Sequence, residues 1–148
     1  MIALDTNILV YAHREELPLH SEARECIELL VANGQRFALP WPCVHEFFSV
    51  VTQPRRFTPP STTRQAFDFL ETLRRTDLAV WLSEGELHFD QLKSLATSSR
   101  IGGPQIHDTR IAALCLANGV RELWTADRDF TRYPTLKIRN PLISAAAR

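Results

Sequence analysis

Short apolar runs alternate along the chain with longer stretches in which apolar side chains recur every three or four positions. The short runs are Met1–Leu4, Phe37–Leu39, Leu78–Leu82, Glu122–Thr125 and Leu136–Ile138, and they read as strands. Asp5 ends the first, Pro40 closes the second and Asn140-Pro141 ends the last. A short helical stretch is expected at Ile8–Ala12. Leu17–Ala32 has helical spacing through Ala23, Ile27, Leu30 and Val31, and Asn33-Gly34 stops it. Pro42–Thr52 sets Val44, Phe47, Phe48 and Val51 on one side. Thr63–Arg75 does so through Ala66, Phe67, Phe69, Leu70 and Leu73, and Glu84–Ser98 through Leu87, Leu92 and Leu95. After the turn Arg100–Gly103, Pro104 suits a first helical turn, and that helix runs to Asn118 before Gly119. Gln53–Thr63, with Pro54, Pro59 and Pro60, reads as a loop. Strands separated by helices predict an α/β fold, a parallel sheet covered on both faces. In such sheets ligands bind beyond the carboxyl ends of the strands.

Composition narrows the class without naming a function. A chain of 148 residues, 45% hydrophobic and 23% charged, fits one globular domain over 1–148 and argues against disorder or a disulfide scaffold. No run approaches the ~18 apolar residues of a membrane span. The opening MIALDTNILV lacks a basic flank and carries an acid, so it does not read as a secretory signal. Cys26, Cys43 and Cys115 form no C-x-x-C pair. They read as reduced, buried thiols of a cytoplasmic protein. The net charge of zero argues against a uniformly cationic coat for nucleic acid. All basic residues except Lys93 and Lys137 are arginine; the bias reads either as a GC-rich genome or as planar forks suited to phosphate and carboxylate.

The acids change the picture. Asp5 follows the first strand, and Asp127 and Asp129 follow the fourth, so a parallel sheet gathers them at one edge. Each has a structural reading as well: Asp5 as a helix N-cap, the D-x-D as turn chemistry. Glu46 projects beside the apolar face of its helix. Asp108 falls on the buried stripe with Ile111, Ala112 and Cys115. An ion pair with Arg110 or Arg128 could account for one such acid, but not easily for two with three more acids at strand ends. Converging carboxylates are costly unless compensated, and a hard divalent cation such as Mg²⁺ or Mn²⁺ is a compact compensator. Zinc fits poorly. No cysteine is expected near these positions, and His45 and His107 each adjoin an acid, about 100° away around a helix; both read as structural or rim residues. Carboxylate-held Mg²⁺ or Mn²⁺ is apparatus for phosphodiester hydrolysis. No nucleotide-binding glycine loop is present.

The motifs IALDTNILVYAH, WPCVHEFFSVVTQPR, GGPQIHDTRIAALCLANG, LWTADRDFTRYP and LKIRNPL, taken in order, resemble the PIN-domain ribonucleases. Within them they resemble the VapC toxins of bacterial toxin–antitoxin pairs, over nearly the whole chain. The resemblance implies a three-layer α/β/α sandwich with a central parallel sheet of about five strands. It implies a Mg²⁺- or Mn²⁺-dependent endoribonuclease, a homodimer, and a cognate VapB-type antitoxin that blocks the site. Asp5, Glu46, Asp108 and Asp127 match the family's acids as catalytic and metal-holding residues, with Asp129 as an accompanying metal ligand. Thr6, Asn7 and Thr125 match supporting polar positions. Candidates for holding single-stranded or looped RNA are Arg14, Arg110 and Arg128, with Arg55, Arg56, Arg100 and Arg132 behind them. Two other classes stay open: a non-catalytic module whose acids bind a cation structurally, and a D-x-D phosphatase using Asp127 as nucleophile. Against the phosphatase, such a motif belongs after the first strand, where Asp5 is followed by Thr6-Asn7.

Overall fold

The computed structural model describes residues 1–143. Among the described residues, five strands form one parallel sheet: β1 (Ile2–Leu4), β2 (Phe37–Pro40), β3 (Ala79–Leu82), β4 (Glu122–Trp124) and β5 (Lys137–Arg139), in the order β3-β2-β1-β4-β5. The helices are α1 (Thr6–His13), α2 (His20–Ala32), α3 (Trp41–Val51), α4 (Thr63–Arg74), α5 (His88–Ser98) and α6 (Ile106–Ala117). Short 3₁₀ turns at Gly103–Gln105 and Arg128–Arg132 complete the order. Among the described residues, no helix is long and apolar enough to cross a membrane.

The period-2 alternation of the strands divides the core into two layers. Leu4, Phe37, Leu39 and Trp124 face α1 to α4, where Ile8, Leu9, Ala23, Leu30, Val44, Phe47, Leu70 and Leu73 are buried. Ala3, Ala38, Leu82 and Leu123 face α5 and α6, packing with Leu95, Ile111, Ala112 and Cys115. The result is the expected three-layer α/β/α sandwich. Two consecutive crossovers build the sheet outward from β1 to β3. The chain then returns along α5 and α6 to place β4 on the other side of β1. The strand order therefore reverses between β1 and β4, which opens a crevice at their carboxyl ends.

Several boundaries differ from the sequence reading. The fifth long helix starts at His88, not Glu84, and Leu87, expected to anchor it, is 64% exposed. Phe67, expected in the core, lies on the outer side of α4 and stacks on Phe48. The second helix starts at His20, because Leu17 and Leu19 pack before the helix begins. Pro104 sits in the 3₁₀ turn preceding α6. Thr62 begins α4 with a reciprocal capping box to Gln65, and Gly119 takes a positive φ where α6 ends.

Candidate active site

The crevice is built around Asp5. Its backbone N–H extends the β1–β4 ladder to Trp124 O, and its side chain caps α1 by accepting from Thr6 N at 2.8 Å. The capping reading of Asp5 is thus correct, and it does not compete with a site role. The other oxygen, Oδ2, accepts from Asn7 Nδ2 at 2.7 Å and from the Thr125 hydroxyl at 2.6 Å. Thr125 Oγ1 in turn accepts from Asn7 Nδ2 and from Asp127 N, both at 2.9 Å, and Asn7 Oδ1 accepts from Ala126 N at 3.0 Å. Asp5, Asn7 and the Thr125–Asp127 turn are therefore one hydrogen-bonded unit across the crevice. Asp5 is only 4% exposed. Burial outweighs these donors, with the Glu46 charge adding to it, and lifts the Asp5 carboxyl to about 6.

Glu46 arrives from α3. Burial of Val44, Phe47 and Val51 fixes the rotation of that helix and leaves Glu46 on the exposed side. The Thr6 hydroxyl donates to Glu46 Oε2 at 2.8 Å, so the residue after Asp5 orients the second acid. Asp108 comes from the first turn of α6. It is half-buried at the edge of the apolar stripe and not within it. The fully buried residue is its neighbour Thr109, whose hydroxyl donates to Gln105 O and accepts from Tyr133, both at 2.8 Å. Burial raises the Asp108 carboxyl, and the charges of Asp127, Asp129 and Glu46 raise it further, against the lowering effect of Arg132. Asp127 caps the following 3₁₀ turn by accepting from Asp129 N at 2.8 Å.

Asp5, Glu46, Asp108 and Asp127 line one cavity of about 640 Å³ with Thr6 and Asn7. Its far wall is apolar (Val10, Tyr11, Leu17, Val50, Phe57), and Arg55 and Arg56 reach it from the proline-rich loop. Asp129 does not line it; that carboxylate lies exposed beside Arg132. Among the described residues, no ion pair involves Asp5, Glu46, Asp108 or Asp127. The pairing with Arg110 or Arg128 considered from the sequence is therefore not made; Arg110 pairs with Glu84. Arg14 is turned away toward Glu16, Ser61 and Pro59 O. Arg128 is exposed, outside the cavity lining.

One expectation is overturned at close range. Cys43 does lie beside the acids, its Sγ donating to Asp5 Oδ1 at 3.6 Å, because the first turn of α3 packs under the end of β1. Its burial and the neighbouring Asp5 charge hold the thiol well above its usual range, which leaves it a poor ligand. The donor set facing the cavity is thus all oxygen, as Mg²⁺ or Mn²⁺ requires. Among the described residues, no group of three or more His, Cys, Asp or Glu side chains forms a ready-made metal cage. The carboxylates share the cavity without closing on a point.

Thr109 and Tyr133 were missed in the sequence reading. The signal was present: Asp-Thr occurs at both 5–6 and 108–109, and in each case the threonine hydroxyl is spent inside the fold beside a site acid.

A family profile described as PIN domain matches residues 2–136. The chain belongs to the PIN-domain family. This PIN domain is 35% identical over 142 residues to a VapC ribonuclease of Mycobacterium bovis, covering 96% of both chains. Its fold is similar to that in the VapBC2 complex of Rickettsia felis bound to a promoter DNA fragment, with a TM-score of 0.68 at 22% identity. That match covers 94% of this chain and 98% of the other. It is also similar to Mycobacterium tuberculosis VapC20, described as a sarcin-ricin loop cleaving toxin. There the TM-score is 0.64 at 15% identity, covering 94% and 99% of the two chains.

Proposed function

We propose that this single-domain protein is a Mg²⁺- or Mn²⁺-dependent endoribonuclease, the toxin of a toxin–antitoxin pair. One observation carries the reading. Four carboxylates from separate parts of the chain line one cavity at the strand-order switch, with no cation of the described chain paired to any of them. Neighbouring acids left without a counter-charge are unfavourable for folding alone, and their presence favours a cation-binding role. Relatives named VapC ribonucleases, matched along nearly the whole chain, support the choice of RNA as substrate.

Asp5, Glu46, Asp108 and Asp127 would hold the cation, with Thr6, Asn7 and Thr125 orienting them. When bound, the cation supplies a water of lowered pKa and positive charge against the phosphate oxygens. The chain's own residues then have distinct tasks. Asp5 is fixed by four donors and cannot swing, so it serves as the anchor. Glu46 and Asp108 are more accessible and suit taking the proton of the attacking water at a carboxylate oxygen as the new P–O bond forms, and returning a proton to the leaving oxygen as the old P–O bond breaks. Arg55 and Arg56 at the cavity mouth suit phosphates flanking the cut. The apolar wall of Val10, Tyr11, Leu17, Val50 and Phe57 offers an antitoxin segment a surface to cover, and the family resemblance supports a homodimer.

The test is cleavage of total RNA from the native host by protein stripped with EDTA. Activity is expected to return with Mg²⁺ or Mn²⁺ and to be absent in Asp108→Asn purified in parallel. Equal cleavage in excess EDTA, retained by Asp108→Asn, would refute the reading.

A further inference from the structure

A second cleft of about 430 Å³ adjoins the acidic cavity, within the roughly 300–1,000 Å³ range of small-ligand sites. Glu46, Asp108 and Ile111 form the wall between the two, so a strand lying over the acids in one enters the other. Pro42 and Ile111 are the apolar lining of the second cleft, and the remaining side chains are polar or charged. His45 and Ser49 line it from α3, and His107 and Arg110 from α6. His45 also ends a ladder of aromatic rings. Trp81 on β3 lies 5.1 Å from Trp41, and Trp41 lies 5.6 Å from His45, at interplanar angles of 37° and 35°. Trp41 is held between Pro40 and Pro42 at the start of α3 and is nevertheless 40% exposed. The hydrophobic core does not account for an indole left open there.

We propose that the Trp41–His45 ladder and the adjoining cleft form a stacking subsite for one unpaired base of the RNA, next to the phosphate held over the acids. This rests on the ribonuclease reading above and adds to it a base contact on the side away from Arg55 and Arg56. Ring faces accept any base by stacking. The edges of His107 and Ser49 offer hydrogen bonds to the base or its ribose. The polar side chains of His45, Ser49 and His107 and the continuity of the cleft with the acidic cavity favour a nucleotide over the apolar face of a second protein.

The test uses the full chain in EDTA, where no cleavage competes. Two fluorescein-labelled probes carry equal numbers of phosphates: a mixed-sequence single-stranded RNA of ten nucleotides, and an abasic ribose-phosphate decamer. Trp41→Ala and His45→Ala are each expected to weaken binding of the first probe by about 5- to 100-fold and to leave the second nearly unchanged. Trp41→Phe should restore most of the loss. The salt dependence should keep its slope, because no phosphate contact is removed. Equal loss on both probes, or loss on neither, overturns the subsite. So does a shift in light-scattering mass caused by Trp41→Ala, since the ladder is then an interface between copies. If Trp41→Ala does not fold, the exposed His45→Ala decides the matter. RNA cleavage by wild type with unchanged probe binding in the variants removes the subsite alone. Wild type that neither binds the probes nor cleaves RNA removes the ribonuclease reading and the subsite with it.

Discussion

The Thr125 hydroxyl donates to Asp5 Oδ2 at 2.6 Å, joining the ends of β4 and β1 across the crevice where the strand order reverses. The two residues stand 120 positions apart in the chain. Their contact sets where Asp127 begins its turn, because the same hydroxyl accepts from Asp127 N. It also moderates the rise of the Asp5 carboxyl, because this donor is the strongest influence opposing the effect of burial.

A pH dependence of folding follows. The Asp5 carboxyl rises from 3.8 when unfolded to about 6 when folded, so the folded chain binds this proton more tightly. Its stabilising effect is full below pH 3.8 and is lost as pH rises through about 6. The loss is about 3 kcal/mol by linkage. Urea denaturation in EDTA across this window should show it as a slope that Asp5→Asn lacks, whatever the variant's baseline. Parallel curves for the two proteins would contradict it.

Asp108→Asn separates a site role from a packing role. Asp108 is half-buried and raised by burial and by neighbouring acids, so removing its charge relieves repulsion in the metal-free protein. The variant should melt at the wild-type temperature or slightly above it, as expected where a site trades stability for activity. Cleavage should be lost, and the rise in Tm with added Mn²⁺ should shrink. A several-degree fall in Tm with cleavage retained would return Asp108 to the core.

Thr6→Val tests orientation of Glu46. The variant keeps the shape of the side chain and deletes the donor that holds Glu46 Oε2 at 2.8 Å. The Mn²⁺ concentration for half-maximal cleavage should rise about 10- to 100-fold, the usual cost of losing a partner behind a ligand. The maximal rate should change less. Titrating Mn²⁺ against cleavage rate reads both.

The buried Thr109–Tyr133 bond predicts an asymmetry. Tyr133→Phe removes one donor, and Thr109 still donates to Gln105 O, so the cost should be about 1 kcal/mol. Thr109→Val strands the buried tyrosine hydroxyl. It should cost about 1–3 kcal/mol more. The double variant should be more stable than Thr109→Val alone. Denaturant melts of the three proteins check the order.

The sequence by itself determined the layers and the order of their elements. Runs such as Phe37–Leu39 can be satisfied only by burial on both faces, and the alternation of such runs with helices requires a parallel sheet. It also put Asp5 and Asp127 at strand ends, because each acid directly follows, or nearly follows, an apolar run. Periodicity could not tell Leu87 and Phe67 from core residues. A helical stripe records which side is apolar, not how far neighbouring layers extend to cover it. The same gap put Asp108 too deep and hid Cys43 beside Asp5. Tertiary structure alone decided which arginines meet the cavity. Arg14 and Arg110 are drawn off by Glu16 and Glu84, while the loop after α3 brings Arg55 and Arg56 in. Long, flexible cationic side chains go to whichever carboxylate folding brings within reach, and that choice depends on contacts between distant parts of the chain.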